Sequence, residues 1–112
     1  MCLFCKIVRR EVPAEVILED DEVLAFKDVR PVAPSHALVI PKKHITSIHD
    51  AQTEDGALVG RMMLAAQEVA EKLGLGRSGY RLVINTGQDA GQSVLHLHVH
   101  VLGGRTLAWP PG

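Results

Sequence analysis

The chain has 112 residues, and its 46% hydrophobic content is enough for one continuous core, so we expect a single domain over residues 1–112. Its 12 basic and 13 acidic residues give a formal net charge of −1, which argues against the strong positive field of a protein that binds nucleic acid or an anionic membrane. The longest apolar runs are strand-sized and no signal-peptide pattern follows Met1, so we expect a soluble, cytoplasmic protein.

The first half of the chain is predicted to contain a short helix and three strands. Residues 5–10 form the helix, which ends before Pro13 because proline does not continue a helix. Residues 16–19 and 23–27 are apolar and β-prone, and they form a hairpin. The apolar run at residues 37–40 is typical of a buried strand.

The second half of the chain contains a clear helical period over residues 53–73. Thr53 is the predicted N-cap, and Gly74 is the glycine that follows the helix. Five apolar residues, spaced by four, three, four and four positions, form one stripe along this helix: Leu58, Met62, Ala65, Val69 and Leu73.

Two further strands complete the predicted fold. They cover residues 80–84 and 94–102, and residues 86–92 form the loop between them. The fold class is therefore α+β, with a mainly antiparallel sheet covered on one face by the long helix.

Three histidines alternate with apolar residues in the last predicted strand. Because strand side chains alternate between faces, His96, His98 and His100 are expected to aim their rings at one common hollow. Neighbouring side chains on one face are about 6.5 to 7 Å apart, so that one substrate could touch adjacent rings. An exposed polar face and a His-x-His metal site, as in a metal-dependent hydrolase, stay open as alternatives.

The loop before the histidines favours a phosphate ligand. Gly91 allows the backbone to approach a ligand, and Ser93 offers both a hydroxyl and an N–H to phosphate oxygens. Asn85, at the end of the preceding strand, adds an amide that can reach a leaving group or a ribose. A Gly-x-Ser loop alone is more often an ordinary turn, but beside three aligned histidines it indicates an anion site.

The histidine run at residues 96–102 resembles the signature of the histidine triad, or HIT, superfamily. The ending Trp109-Pro110-Pro111-Gly112 resembles the Hint branch in particular, since the Fhit-like branch usually continues from the triad into a Pro-Arg pair and a longer tail. The resemblance extends along nearly the whole chain, through residues 4–7, 19–21, 25–28, 36–44, 91–94 and 103–105.

The resemblance implies a fold, an assembly and a reaction. The fold is a five-stranded, mainly antiparallel sheet with one long and one short helix, and the assembly is a homodimer whose sheets join into one of ten strands. The reaction is hydrolysis of purine nucleoside 5′-phosphoramidates, including nucleotidyl-lysine, through a covalent nucleotidyl-histidine, with no cofactor required. A dinucleoside polyphosphate hydrolase, a nucleotidyl transferase of the same superfamily and a non-catalytic nucleotide-binding module stay open as alternatives.

The resemblance also implies roles for individual residues. His98 is the nucleophile that attacks phosphorus, and the other catalytic residues are His36, His96, His100 and Ser93. On the residues alone, Asp28 could instead cap a loop, and Phe4 and Phe26 could be ordinary core residues. The residues implied to contact substrate, with Trp109 doing so in the partner's active site, are Asn85, Gly91, Gln92, Ser93, Asp28, Phe4, Phe26, Val29 and Trp109.

Cys2 and Cys5 raise the possibility of a structural zinc site. A Cys-x-x-Cys pair supplies half of a tetrahedral site, and His44 and His96 are the candidate partners. The resemblance supports this ligand set, since some members of the superfamily that share this cysteine pair bind structural zinc through the matching residues. Two free buried thiols are the alternative. If His96 is a metal ligand, it cannot also pass protons, which leaves His36 and His100 to serve His98.

Overall fold

The computed structural model describes residues 2–112, so Met1, the first residue of the predicted domain, lies outside the description. The fold is α+β, as predicted: one five-stranded sheet, one long helix, two short helices, and two 3₁₀ turns at Ile48–Asp50 and Thr53–Asp55. In chain order the helices and strands are α1 (Leu3–Val8), β1 (Val16–Glu19), β2 (Val23–Lys27), β3 (Ser35–Pro41), α2 (Gly56–Lys72), β4 (Tyr80–Val83), α3 (Gly87–Ala90) and β5 (Val99–Gly103).

The sheet has the strand order β1-β2-β3-β5-β4, and every neighbouring pair is antiparallel. β5 therefore lies between β3 and β4, although both precede it in the chain. His100 is paired with Leu38 on one side and with Val83 on the other. This register fixes the last histidine of the run in the interior of the sheet.

The two faces of the sheet carry different parts of the core, as the period of two along the strands requires. On β2, Val23 and Ala25 face α2, whereas Leu24 and Phe26 face α1. Val99 of β5 belongs to the α2 side. The predicted stripe on α2 is also found, since its buried residues are Met62, Ala65, Ala66, Val69 and Ala70.

The helix termini differ slightly from the prediction because of local capping. α1 begins at Leu3, two residues earlier than predicted, because the Cys2 thiol accepts a hydrogen bond from the Cys5 N–H. The predicted helix at 53–73 begins with a 3₁₀ turn, and Gln52, not Thr53, forms a capping box with Asp55.

The last strand is shorter than predicted. It begins at Val99, not at residue 94, because the preceding backbone is bound elsewhere: the Leu97 N–H donates to the Ile45 carbonyl at 2.6 Å. The predicted loop at 86–92 contains the one-turn helix α3. Among residues 2–112, no helix is long and apolar enough to cross a membrane.

Candidate functional site

A cavity of about 300 Å³ lies between α1 and the face of the sheet that it covers. α1, β2 and β3 supply most of its apolar wall, and the polar residues that line it include Asp28, Ser93, His98 and His100. Seven of the residues predicted from the sequence line this cavity together: Phe4, Phe26, Asp28, Val29, Ser93, His98 and His100.

His98 is held in one orientation and one tautomer. Its Nδ1–H donates to the carbonyl of His96 at 2.7 Å, because a carbonyl can only accept. The ring is 4% exposed, and Phe4 packs edge-on against it with 5.2 Å between ring centroids. In the neutral ring, Nε2 is therefore unprotonated and is the nitrogen left for a ligand in the cavity.

A chain of hydrogen bonds fixes the tautomers of His36 and His100. The Val32 N–H donates to Nδ1 of His36 at 3.1 Å, so the His36 proton lies on Nε2, which is 2.8 Å from Nδ1 of His100. Burial lowers the pKa of His36, and burial together with the neighbouring histidines lowers the pKa of His100 to about 4. Both rings are therefore neutral at pH 7, and His100 carries its proton on Nε2, with its ring 4.9 Å from that of His98.

Asp28 caps its loop and also lies at the cavity. Its Oδ1 accepts a hydrogen bond from the Arg30 N–H at 2.8 Å, which is the loop-capping role. Its Oδ2 lies 3.4 Å from Nε2 of His36, at the wall of the cavity. The carboxylate thus has one oxygen bound within its own loop and one facing the histidines.

Four of the residues predicted to contact substrate are not among those that line the cavity. The Gln92 side chain donates to the carbonyls of Thr46 (2.7 Å) and Val94 (3.1 Å) and accepts from the Gly87 N–H (3.0 Å), so that it clamps the loop. Gly91 follows α3 with a left-handed φ of +80°, and Asn85, which precedes α3 in the chain, is half-buried. Trp109 is 77% exposed and lies over the Arg81 guanidinium, 5.7 Å from the ring centroid.

The loop before β5 offers fewer backbone donors than its composition suggests. The N–H groups of Gly91 and Gln92 already donate to the carbonyls of Gln88 and Gly87, both at 3.0 Å. Ser93, which is exposed and lines the cavity, is therefore the residue of this loop best placed to offer its N–H and hydroxyl to an anion.

His96 faces a different site from the other two histidines of the run. Its Nε2–H donates to the Pro41 carbonyl at 2.8 Å, so its Nδ1 carries a lone pair. That Nδ1 lies 3.3 Å from the Cys2 Sγ, 3.6 Å from the Cys5 Sγ and 3.2 Å from Nδ1 of His44. The expectation that all three rings face one hollow holds for His98 and His100 but not for His96, because the Pro41 carbonyl binds one nitrogen of the His96 ring and the other nitrogen faces the two thiols and His44.

The donor atoms of Cys2, Cys5, His44 and His96 all lie within 4.8 Å of one another, and we call these four residues the Cys-His cluster. Tetrahedral zinc with two thiolates at 2.3 Å and two imidazole nitrogens at about 2.05 Å needs ligand atoms about 3.3 to 3.8 Å apart. The separations between Sγ and Nδ1 atoms, 3.3 to 3.6 Å, match this requirement. The cluster therefore fits a four-coordinate ion in donor type, number and spacing.

Some atoms of the site could not be found by reasoning from residue types. The groups that orient His36, His96 and His98 are backbone atoms of Val32, Pro41 and His96. Any residue but proline would supply the same N–H and any residue the same carbonyl, so the sequence carries no signal for them. Leu38, at the apolar end of the cavity, was predicted only as part of a buried strand.

The sequence and the fold are both similar to those of HIT proteins. The HIT domain family model matches residues 9–107. An uncharacterized HIT-like protein of Synechocystis is 56% identical over 98% of this chain and 96% of its own length. The solved structure of a HIT family hydrolase from Legionella pneumophila superposes with a TM-score of 0.97 at 50% identity over the full length of both chains. A histidine triad protein from Clostridium difficile, also of known structure, gives a TM-score of 0.92 at 43% identity, covering 96% of this chain and 93% of its own.

Proposed function

Since the chain belongs to the HIT family, we propose that it is a Hint-branch hydrolase that cleaves the P–N bond of purine nucleoside 5′-phosphoramidates through a nucleotidyl-histidine at His98. One observation carries this proposal: the His96 carbonyl holds the Nδ1–H of a buried His98, which leaves Nε2 as a nucleophile at the cavity wall. Nucleotidyl-lysine belongs to the same substrate class.

The residues that line the cavity favour one orientation of a bound purine nucleoside monophosphate. The apolar end, with Phe26 and Leu38, would enclose the base. Asp28 Oδ2 would accept from a ribose hydroxyl. Ser93 would donate to the phosphate, beside His98. Because Phe26 and Leu38 offer no hydrogen bond to a base, we expect little discrimination between adenine and guanine.

The proposed reaction has two steps. His98 Nε2 attacks phosphorus, the P–N bond breaks, and the leaving nitrogen keeps the electron pair and takes a proton. The candidate donors of that proton are the Ser93 hydroxyl and the Nε2–H of His100. Water then breaks the histidine–phosphorus bond and releases the nucleoside monophosphate and the free imidazole. The Ser93 N–H would stabilise charge on the phosphoryl oxygens, a role in which one donor is typically worth about 3 to 4 kcal/mol.

The Cys-His cluster would hold a structural zinc ion. With two thiolates and two imidazoles the coordination is complete, so the ion would join chain segments and leave no position for a reacting water. His96 would then serve as a ligand, and the proton-transfer role would fall to His36 and His100. We also propose a homodimer, in which Trp109 would reach the partner's site.

The test of the reaction is rapid quenching of the protein with adenosine 5′-phosphoramidate, followed by mapping of the adduct. We expect a nucleotidyl adduct on His98, and we expect His98→Asn to lose turnover while it still binds AMP. His49→Asn is the matched control, because His49 is exposed on the 3₁₀ turn Ile48–Asp50.

Four results would contradict the proposal. An adduct on another residue would remove His98 as the nucleophile. We expect the chelated protein still to form the nucleotidyl adduct on His98, whereas loss of the adduct and of all turnover at saturating substrate, both restored by zinc, would favour metal-dependent hydrolysis. Binding of AMP with no turnover of any phosphoramidate would indicate a non-catalytic module, and faster cleavage of dinucleoside polyphosphates would indicate the other HIT reaction.

A further inference from the structure

Helix α1 belongs to two sites at once. Cys2, its N-cap, and Cys5 contribute their thiols to the Cys-His cluster. Phe4, between them, lines the nucleotide cavity together with Leu3 and Ile7. The helix has six residues, and isolated helices shorter than about 12 residues are marginal in water, so its position depends on tertiary contacts.

Phe4 contacts the nucleophile directly. Its ring is 4% exposed and meets the rings of three residues edge-on, at centroid distances of 5.2 Å for His98, 5.6 Å for Phe26 and 5.9 Å for His96. Because it is flanked by two cluster thiols, Phe4 can keep this position only while Cys2 and Cys5 keep theirs.

His96 makes a second connection between the two sites. Its ring is fully buried and is fixed by the Pro41 carbonyl on one nitrogen and by the cluster on the other. Its own carbonyl receives the Nδ1–H of His98. A shift of the His96 ring would therefore move the group that selects the His98 tautomer.

We propose that the Cys-His cluster controls the nucleotide site, with Phe4 and His96 as positioning residues. When a metal ion joins the four ligands, Phe4 closes the cavity against His98 and the His96 carbonyl holds one His98 tautomer. When the ligands are not joined, α1 is released and both contacts weaken. This inference rests on the proposed function in taking the cavity as the nucleotide site.

The first experiment compares the full-length protein loaded with zinc and after chelation, and it uses AMP as the probe. Because chelation would weaken the edge-on contact of Phe4 with His98 at the cavity, we expect AMP binding to weaken about fivefold by calorimetry. Nitrogen-15 correlation spectra of the imidazole rings should show the Nδ1–H tautomer of His98 in the loaded protein and a mixture of tautomers after chelation.

The second experiment uses matched histidine variants. His44→Asn removes a cluster ligand that does not line the nucleotide cavity, and His49→Asn changes an exposed histidine outside both sites. We expect His44→Asn to reproduce the weaker AMP binding of the chelated protein and His49→Asn to match the wild type. In Phe4→Leu, AMP binding should be weak with zinc present, and chelation should weaken it no further.

The proposal is overturned if the full-length protein binds no zinc, or if the chelated protein keeps its circular dichroism spectrum, its AMP affinity within about twofold and its His98 tautomer. Global unfolding on chelation would also overturn it, because the ion would then hold the whole fold and not α1. If His44→Asn fails to fold, the chelated wild type decides. Metal-dependent AMP binding without phosphoramidate turnover would refute the proposed function and leave this coupling in place.

Discussion

The depressed pKa of His100 predicts a specific loss of stability in mild acid. In the unfolded chain this imidazole binds a proton below about pH 6.5, whereas in the folded protein it does so only at about pH 4. Between about pH 4 and pH 6.5 this imidazole binds more protons in the unfolded chain than in the folded protein. The free energy of unfolding therefore rises with pH over this range and no longer depends on the His100 proton at higher pH. From the two pKa values, the contribution of His100 lowers the free energy of unfolding by about 2 kcal/mol between pH 7 and pH 5.

His100→Asn isolates this contribution. An asparagine can place an acceptor near the position of Nδ1, so the Nε2–H of His36 keeps a partner, and asparagine does not titrate. Urea unfolding at pH 7 and at pH 5 gives the change in the free energy of unfolding between the two pH values, once for the wild type and once for the variant. The variant should lose about 2 kcal/mol less than the wild type over this range, and the other buried histidines cancel in the comparison.

His49→Asn, which changes an exposed histidine, should show the wild-type difference. An equal loss of stability in wild type and His100→Asn would refute the reasoning. It would mean that the ring is charged in the folded protein or that burial does not affect its protonation, and the tautomer chain from Val32 to His100 would fail with it.

Three other changes test the core, the loop and the ribose contact. Val99→Ala should lower the free energy of unfolding by about 2 kcal/mol in denaturant titrations, because the Val99 side chain is 1% exposed. Val29→Ala is the control: Val29 is 89% exposed, and its substitution should change the free energy of unfolding by less than about 0.5 kcal/mol. Equal effects of the two substitutions would contradict the assigned core. Gln92→Leu removes three hydrogen bonds and should cost about 2 kcal/mol in the same assay, and a neutral result would show that the loop does not need its clamp. Asp28→Asn keeps the cap on the Arg30 N–H but loses a charged acceptor, so KM for a phosphoramidate should rise about tenfold; an unchanged KM would remove Asp28 from the ribose contact.

The elements that could be predicted from the sequence are those set by local periodicity. The stripe from Leu58 to Leu73 predicted the buried face of α2, and the apolar, β-prone run at 23–27 predicted β2. These patterns are local because a helix or strand repeats its geometry within a few residues. The fold class followed from them.

The beginning of β5 and the direction of His96 could not be predicted, because both depend on distant residues. The Leu97 N–H is bound to Ile45, and the His96 ring is bound to Pro41 and the Cys-His cluster. A histidine run at period two looks the same whether or not its first residues pair in a sheet. The pairing of Cys2 and Cys5 with His44 and His96 came from the family resemblance, and the distances agree with that ligand set.

The position of β5 between β3 and β4 has a consequence for synthesis on the ribosome. The meander of β1, β2 and β3 can form from neighbouring segments, but β3 and β4 meet only through β5, which is translated after both. Until residues 99–103 emerge, a nascent chain presents two open strand edges, and such edges are templates for aggregation. We expect ribosome-bound chains that stop before residue 99 to be protease-sensitive and to recruit chaperones, and nucleotide recognition to begin only once the last strand has been inserted.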